Sequence, residues 1–287
     1  MATGTQQDVC CLMGDPVAGN PTHYMLEKAF AVADLDWRFL TLEVSTEDFE
    51  AALKAVSIFN FRGVMLAPPH RGKAGKYLAS ATDAARLSHQ VNCLIQERGA
   101  LRGHNTEGVA LRRMVEGRVP LKGAKVMILG SGRQGRGIAA ELALAGASLI
   151  ELMCIDPTQA EPLAAALREF PQTANVECRI TPWPTSGVIP LAEDCRLLIN
   201  ATPVGRQDPG AKLPLDIEHA PPTLVVADVV YNPPTTRLTR DARQRGLQVV
   251  DGLTLLVEHA ALAFELWTGR HPDRESMREA VEEFLVL

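Results

Sequence analysis

Between Leu129 and Ile138 the chain reads Gly130-Ser131-Gly132-Arg133-Gln134-Gly135, a G-x-G-x-x-G spacing. Glycines so placed suit a phosphate ligand. The first allows a tight turn, the second lets the backbone approach a pyrophosphate, and the third lets the following helix pack on the preceding strand. The start of that helix adds unpaired N–H groups and a partial positive charge. Context matters, because the bare spacing is common. Here the apolar run Lys125–Leu129 reads as a strand before the turn, and Ile138–Ala145 has helical spacing after it, so the segment reads as a dinucleotide site. The next apolar run ends at Ile155-Asp156-Pro157, and Asp156 lies 24 residues beyond Gly132. That is close to the roughly 20 at which an acid meets the adenine ribose. A carboxylate there accepts from a 2′-hydroxyl and repels a 2′-phosphate, so NAD is the expected cofactor. Arg133 and Arg136 keep NADP open, and Asp156 could instead cap a helix starting at Pro157.

The elements that must position this turn follow an alternation of short apolar runs and helical segments, the signature of βα units around a largely parallel sheet. Val9–Met13, Trp37–Val44 and Gly63–Leu66 read as strands, the last stopped by Pro68-Pro69. Thr22–Ala33 and Thr82–Ser88 read as helices, and a further helix is expected to start at Ser45, with Asp48 completing a partial capping box. Asn92–Gln96 followed by Arg98-Gly99 reads as a hairpin arm. After Pro120 the pattern becomes more regular. Leu149–Ile155, Leu197–Ile199 and Leu224–Val230 are strands, Thr158–Phe170 is a helix, and Gly252–Trp267 is a long helix returning to the first domain. The expected fold is therefore α/β. Residues 1–106 form an N-terminal α/β domain, 107–251 a Rossmann-like dinucleotide-binding domain, and 252–287 C-terminal helices that pack on the first domain.

Composition narrows the function classes. Of 287 residues, 46% are hydrophobic and 22% charged, which fits a packed globular protein. The net charge is −5 without a basic stripe, which argues against nucleic acid or an anionic membrane as partner. No basic start precedes an apolar run, and apolar stretches stop short of the roughly 20 residues a membrane span needs. The six cysteines are scattered and read as reduced thiols, mostly in strands, of a cytoplasmic protein. The seven histidines lack ligand spacing, so no metal is expected.

Several segments together resemble shikimate and quinate dehydrogenases over nearly the whole chain. Gly14-Asp15-Pro16-Val17 is similar to the family's opening G-x-P turn, Val91-Asn92-Cys93 to V-N-T, and Gly103-His104-Asn105-Thr106-Glu107-Gly108 to G-D-N-T-D-G. Asn200-Ala201-Thr202-Pro203-Val204-Gly205, Asp228-Val229-Val230-Tyr231-Asn232-Pro233 and Phe264-Glu265-Leu266-Trp267-Thr268-Gly269 resemble family motifs almost verbatim. The resemblance implies an N-terminal substrate domain and a cleft between it and the dinucleotide domain. It also implies reversible hydride transfer between a ring carbinol of a cyclic hydroxy acid and NAD(P), in a monomer or homodimer. The implied cofactor residues are the glycine-rich turn, Asp156, Thr202, Val204, Val229 and Gly252. Asn92 and Tyr231 match the family's substrate-binding positions.

The substrate side departs from that pattern. Gly19-Asn20-Pro21-Thr22-His23 stands where the family has H-S-x-S-P, leaving Asn20 and Thr22 as possible carboxylate donors. Met65-Leu66-Ala67-Pro68-Pro69-His70-Arg71 stands for N-V-T-x-P-x-K, so Met65 and Ala67 make the substrate wall less polar and Arg71 takes the place of the catalytic lysine. A guanidinium cannot take a proton near neutral pH, but it can orient an oxygen or clamp a carboxylate. Glu107 takes the place of the catalytic aspartate and could accept a proton, or serve only as a first-turn helix acid. His259 replaces the substrate-binding glutamine and is an alternative acid/base, unless it is merely packed among Ala260, Ala261 and Leu262. Lys73 reads as a surface residue of the same loop. Two other readings stay open: an oxidoreductase of this fold with a substrate outside the shikimate class, and a dinucleotide-binding protein without catalysis.

Overall fold

The computed structural model describes residues 7–286. The chain divides into two compact units, one running to Thr106 and resuming at Val257, the other spanning Glu107–Leu256. Both divisions fall inside helices, α4 (Thr106–Glu116) and α8 (Gly252–Thr268).

In the first unit β1 (Asp8–Gly14), β2 (Trp37–Glu43), β3 (Gly63–Leu66), β4 (Ser80–Ala81), β5 (Cys93–Glu97) and β6 (Ala100–His104) form a sheet ordered β2-β1-β3-β5-β6-β4. β1 pairs in parallel with β2 and β3, whereas β5 runs antiparallel to both β3 and β6. The β5–β6 hairpin turns at Arg98 and Gly99, both at positive φ, as a tight two-residue turn requires. β3 is buried throughout, because α2 (Phe49–Ile58) covers one face and α8 the other. Gly63 shows how closely α8 packs: a Cβ there would lie 1.9 Å from Trp267 Nε1. That indole instead donates to Leu94 O at 2.9 Å. α1 (Thr22–Val32) packs beside α9 (Arg274–Leu285), with Tyr24 stacked on Phe284 at 4.5 Å.

The second unit holds a wholly parallel sheet ordered β12-β11-β10-β7-β8-β9, from β7 (Lys125–Leu129), β8 (Leu149–Cys154), β9 (Glu177–Pro182), β10 (Cys195–Asn200), β11 (Val225–Asp228) and β12 (Gln248–Val250). The order reverses between β7 and β10, the point where such sheets bind ligands outside the strands' carboxyl ends. α5 (Arg133–Leu144) follows β7, α6 (Glu161–Glu169) follows β8, and α7 (Arg237–Gln244) precedes β12. α4 and α5 cross closely, since a Cβ on Gly108 would meet Gly137 O at 2.8 Å. All six cysteines lie in strands as free thiols.

Some boundaries differ from the sequence expectation. Ser45 Oγ donates to Asp48 Oδ2 at 2.9 Å and accepts from Asp48 N at 3.1 Å, so the capping pair forms. It closes a turn, however, and the helix begins only at Phe49. α5 starts at Arg133 rather than Ile138 because Gly132 is already its N-cap. Thr158–Phe170 splits into a short 3-10 turn at Pro157–Gln159 and α6.

Candidate active site

The glycine-rich turn sits at the carboxyl end of β7. Gly130 N donates to Met153 O (2.7 Å) and Ala201 N to Leu129 O (2.8 Å), which fixes the turn between the ends of β8 and β10. The three glycines have different reasons to be there. Gly130 has φ +99°, and a Cβ on Gly135 would lie 2.0 Å from Gly130 O, so neither tolerates a side chain in the fold itself. A Cβ on Gly132 would meet nothing within 4 Å. Folding leaves that position free, and the space suits the backbone approach of a pyrophosphate. No side chain caps α5, so its first-turn N–H groups remain available to phosphate oxygens. Ser131 is buried, Gln134 half-buried and Arg133 exposed. These features fit a nicotinamide dinucleotide.

Asp156 adopts the capping role left open by the sequence. Its Oδ1 accepts from Thr158 N (3.1 Å) and Thr158 Oγ1 (2.5 Å), and its Oδ2 from Gln159 Nε2 (3.3 Å). The Thr158 hydroxyl foremost, then Gln159, holds this exposed carboxyl below the usual carboxylate range. Arg136 Nη1 donates to Gln159 O at 2.9 Å, so this arginine braces the same turn. Burial first, then Arg133, pushes its guanidinium pKa down.

On the other side of the switch point a buried polar network holds the loops after β10 and β11. Asn200 is fully buried. Its Oδ1 accepts from Thr202 N (3.1 Å) and Thr202 Oγ1 (2.6 Å), and its Nδ2 donates to Val204 O (3.2 Å) and Asp228 Oδ1 (3.0 Å). Asp228 also accepts from Val230 N (3.0 Å) and, through Oδ2, from Thr236 Oγ1 (2.7 Å). Val229 N donates to Asn200 O (3.0 Å). Thr202, Val204 and Val229 thus owe their positions to Asn200 and Asp228. Sequence reading included both in motifs but gave them no role; a polar residue ending an otherwise apolar buried strand was the available signal. Burial pushes the Asp228 carboxyl up to about 6, against the pull of its three hydrogen bonds. Gly252 opens α8 where a Cβ would lie 2.2 Å from Val230 O, and Tyr231 is half-buried in the loop after β11.

Of the residues expected on the substrate side, Arg71 lies in the loop after β3 and Asn92 just before β5. Arg71 Nε donates to Leu66 O (2.6 Å), and Val91 N donates to Arg71 O (3.0 Å), so the Arg71 loop is tied to both strands. Asn92 is 2% exposed. Its Oδ1 accepts from Thr106 N (2.7 Å) and Thr106 Oγ1 (3.2 Å), while its Nδ2 is buried with no partner among the described residues. Ala67 is buried against Gly14, whose Cβ would come within 2.7 Å of the Ala67 methyl. Asn20 Oδ1 accepts from Thr22 N (3.0 Å), and Thr22 is almost wholly buried. The Asn20 oxygen therefore takes up the first N–H of α1. His70 beside Arg71 is fully buried, stacked on Phe49 at 4.1 Å, and linked through Nε2 to Val44 O at 2.8 Å; burial lowers its pKa. Lys73 is exposed, with Nζ 3.3 Å from Thr46 Oγ1. Glu107, in the first turn of α4, and His259, within α8, are 6% and 5% exposed. Neither is the solvated group that a plain surface position would give. Among the described residues no helix is long and apolar enough to cross a membrane, and no cluster of three potential ligands could hold a metal ion.

A parallel sheet reversing at β7 and β10, with a glycine-rich turn at the reversal, defines a dinucleotide-binding protein of the Rossmann class. Residues 12–94 match the family model of the shikimate dehydrogenase substrate binding domain, and residues 252–282 that of the shikimate 5′-dehydrogenase C-terminal domain. A shikimate dehydrogenase (NADP(+)) of Methanopyrus kandleri is 32% identical over 99% of this chain and 98% of its own length. Among solved structures, the ligand-free 5-ketofructose reductase of a Gluconobacter species superposes with TM-score 0.89 at 33% identity, covering 98% of this chain and 99% of the other. Shikimate 5-dehydrogenase of Thermus thermophilus, in complex with NADP(H) and shikimate, gives TM-score 0.79 at 32% identity, covering 97% and 100%. The chain belongs to the shikimate dehydrogenase family. It is an NAD(P)-dependent oxidoreductase acting on a CH–OH group. The expectation of NAD first departs from the name of the Methanopyrus relative, which specifies NADP(+).

Proposed function

We propose that this enzyme interconverts a ring carbinol and the corresponding ketone of a cyclic hydroxy acid related to shikimate or quinate. The carrying observation is Asn92: a buried amide whose oxygen is committed to Thr106 and whose Nδ2 is left to donate. A hydroxylated ring supplies the acceptor. Arg71, tied to Leu66 O through Nε, brings a guanidinium, the group suited to a carboxylate or to orienting the reacting oxygen. Asn20, Thr22, Ala67 and Tyr231 complete the substrate-binding set. A bound nicotinamide dinucleotide supplies or accepts the hydride. The proton cannot pass through Arg71, because a guanidinium stays charged. Glu107 and His259 are the two groups able to carry it, and comparing the pH–rate profiles of Glu107→Gln and His259→Asn identifies which does.

The cofactor preference we read from Asp156 is NAD over NADP. Its ionised carboxylate is fixed at the end of β8 with acceptor capacity left on Oδ2, and Arg136 Nη1 is used in bracing that turn.

One observation favours a second reading, a substrate without a carboxylate, such as the keto-sugar named for the Gluconobacter reductase. Met65 and Ala67 are apolar and buried. Initial rates with shikimate, quinate and 5-ketofructose, each with both dinucleotides, separate the two. Turnover of the keto-sugar alone supports the second and overturns the first.

A further inference from the structure

Two residues before Asn92 lies a second incomplete amide. Gln90 is 5% exposed, and its Oε1 is buried with no hydrogen-bond partner among the described residues. Folded proteins rarely leave such an atom unpaired unless a ligand or ordered water completes it. The incomplete atoms of the pair are complementary, an acceptor on Gln90 and a donor on Asn92. Both residues are held by one short segment: Asn105 Nδ2 donates to the Gln90 backbone O (3.3 Å), and Thr106 N donates to the Asn92 side-chain oxygen (2.7 Å). Between them Val91 N donates to Arg71 O (3.0 Å). The Gln90 amide reaches towards the turn after Arg71, for a Cβ built on Gly72 would lie 3.7 Å from Gln90 Nε2. The incomplete acceptor, the incomplete donor and the Arg71 loop therefore share one corner of this unit.

We propose that Gln90 is a substrate-binding residue. Its Oε1 accepts from one ring hydroxyl while Asn92 Nδ2 donates to the same or the adjacent oxygen, so the pair reads a polyol rather than a simple alcohol. This rests on the reading of Asn92 as facing substrate. It also adds a polar contact to a set in which Met65 and Ala67 are apolar, and places hydroxyl recognition beside the Arg71 loop. The residue required is one that can only accept at that atom, which distinguishes Gln90 from a general polar filler.

The test combines side-chain amide NMR of the full-length protein with the variant Gln90→Met, which keeps length and removes the acceptor. Shikimate, quinate and 5-ketofructose are the probes. On the proposal, the Gln90 and Asn92 amide signals both shift on titration with at least one probe. Gln90→Met then raises KM for that probe about tenfold, leaves dinucleotide affinity unchanged, and unfolds at the same or a higher temperature, because an unpaired acceptor has been removed. A shift at Asn92 alone, with KM unchanged in Gln90→Met, overturns the assignment of Gln90 and leaves the Asn92 reading intact. A Gln90→Met protein that melts lower and loses dinucleotide affinity as well shows a merely structural glutamine. No shift at either amide with any probe overturns both readings.

Discussion

Asn92 and Thr106 are joined twice, the side-chain oxygen of Asn92 accepting from both the backbone N–H (2.7 Å) and the hydroxyl (3.2 Å) of Thr106. These two hydrogen bonds fix the amide plane and so determine which atom of Asn92 faces away. Asn92→Asp keeps both acceptor interactions and removes the donor. We expect KM for the substrate to rise about tenfold or more, the cost of one lost hydrogen bond in a buried site. Asn92→Leu also strands the two Thr106 donors and should cost about 2–4 kcal/mol of stability. Steady-state kinetics and denaturant melts on the two variants check this contrast.

Gly132 and Gly135 should respond oppositely to alanine. Gly132→Ala meets open space in the fold, so its melting temperature should barely change while dinucleotide affinity falls at least tenfold. Gly135→Ala drives a methyl into Gly130 O, and should destabilise by about 3 kcal/mol or more. Calorimetric titration with NAD and NADP, alongside thermal melts, separates a ligand-imposed glycine from a fold-imposed one.

Cofactor choice should turn on Asp156. Asp156→Ser keeps a capping oxygen for Thr158 N but removes the charge. Its ratio of NADP to NAD affinity should rise about tenfold relative to the parent. An unchanged ratio would mean that the carboxylate serves only to cap the turn.

The buried Asp228 carboxyl gives a pH signature. Its pKa is pushed up to about 6 in the folded protein from an ordinary value of 3.8. The folded state therefore binds the proton more tightly than the unfolded state. Ionised Asp228 costs stability above about pH 6, and that cost is relieved as pH falls from about 6 towards 4. The full effect is about 3 kcal/mol. Asp228→Asn lacks the titration, so the stability of the parent relative to Asp228→Asn should rise between about pH 7 and pH 5. Urea midpoints of both proteins at the two pH values measure it; a difference independent of pH contradicts the assignment.

How far these features were legible depended on whether the signal was local. β3 and β7 were readable to the residue, since continuous apolar runs bounded by Gly or Pro leave little choice. The glycine-rich turn and the hairpin at Arg98-Gly99 were readable for the same reason. β9 was missed because it is an edge strand alternating in exposure, and β12 because it has three residues. α9 falls within the expected C-terminal helices, but its mixed polar composition hid its start, where Asp273 accepts from Glu275 N and Ser276 N. At the site, residue identities at Arg71 and Asn92 could be read. Which atom of Asn92 is occupied, and the incomplete Gln90 two residues earlier, depend on Asn105 and Thr106 reaching back from the end of β6. No sequence periodicity reports that.

The most direct test of the central claim is the rate of nicotinamide reduction with shikimate and with quinate, measured for the parent enzyme and for Arg71→Met. The account predicts turnover of at least one cyclic acid by the parent. It also predicts a KM for that acid about tenfold or more higher in Arg71→Met, with dinucleotide affinity unchanged. Tight dinucleotide binding with no turnover of either acid would contradict it.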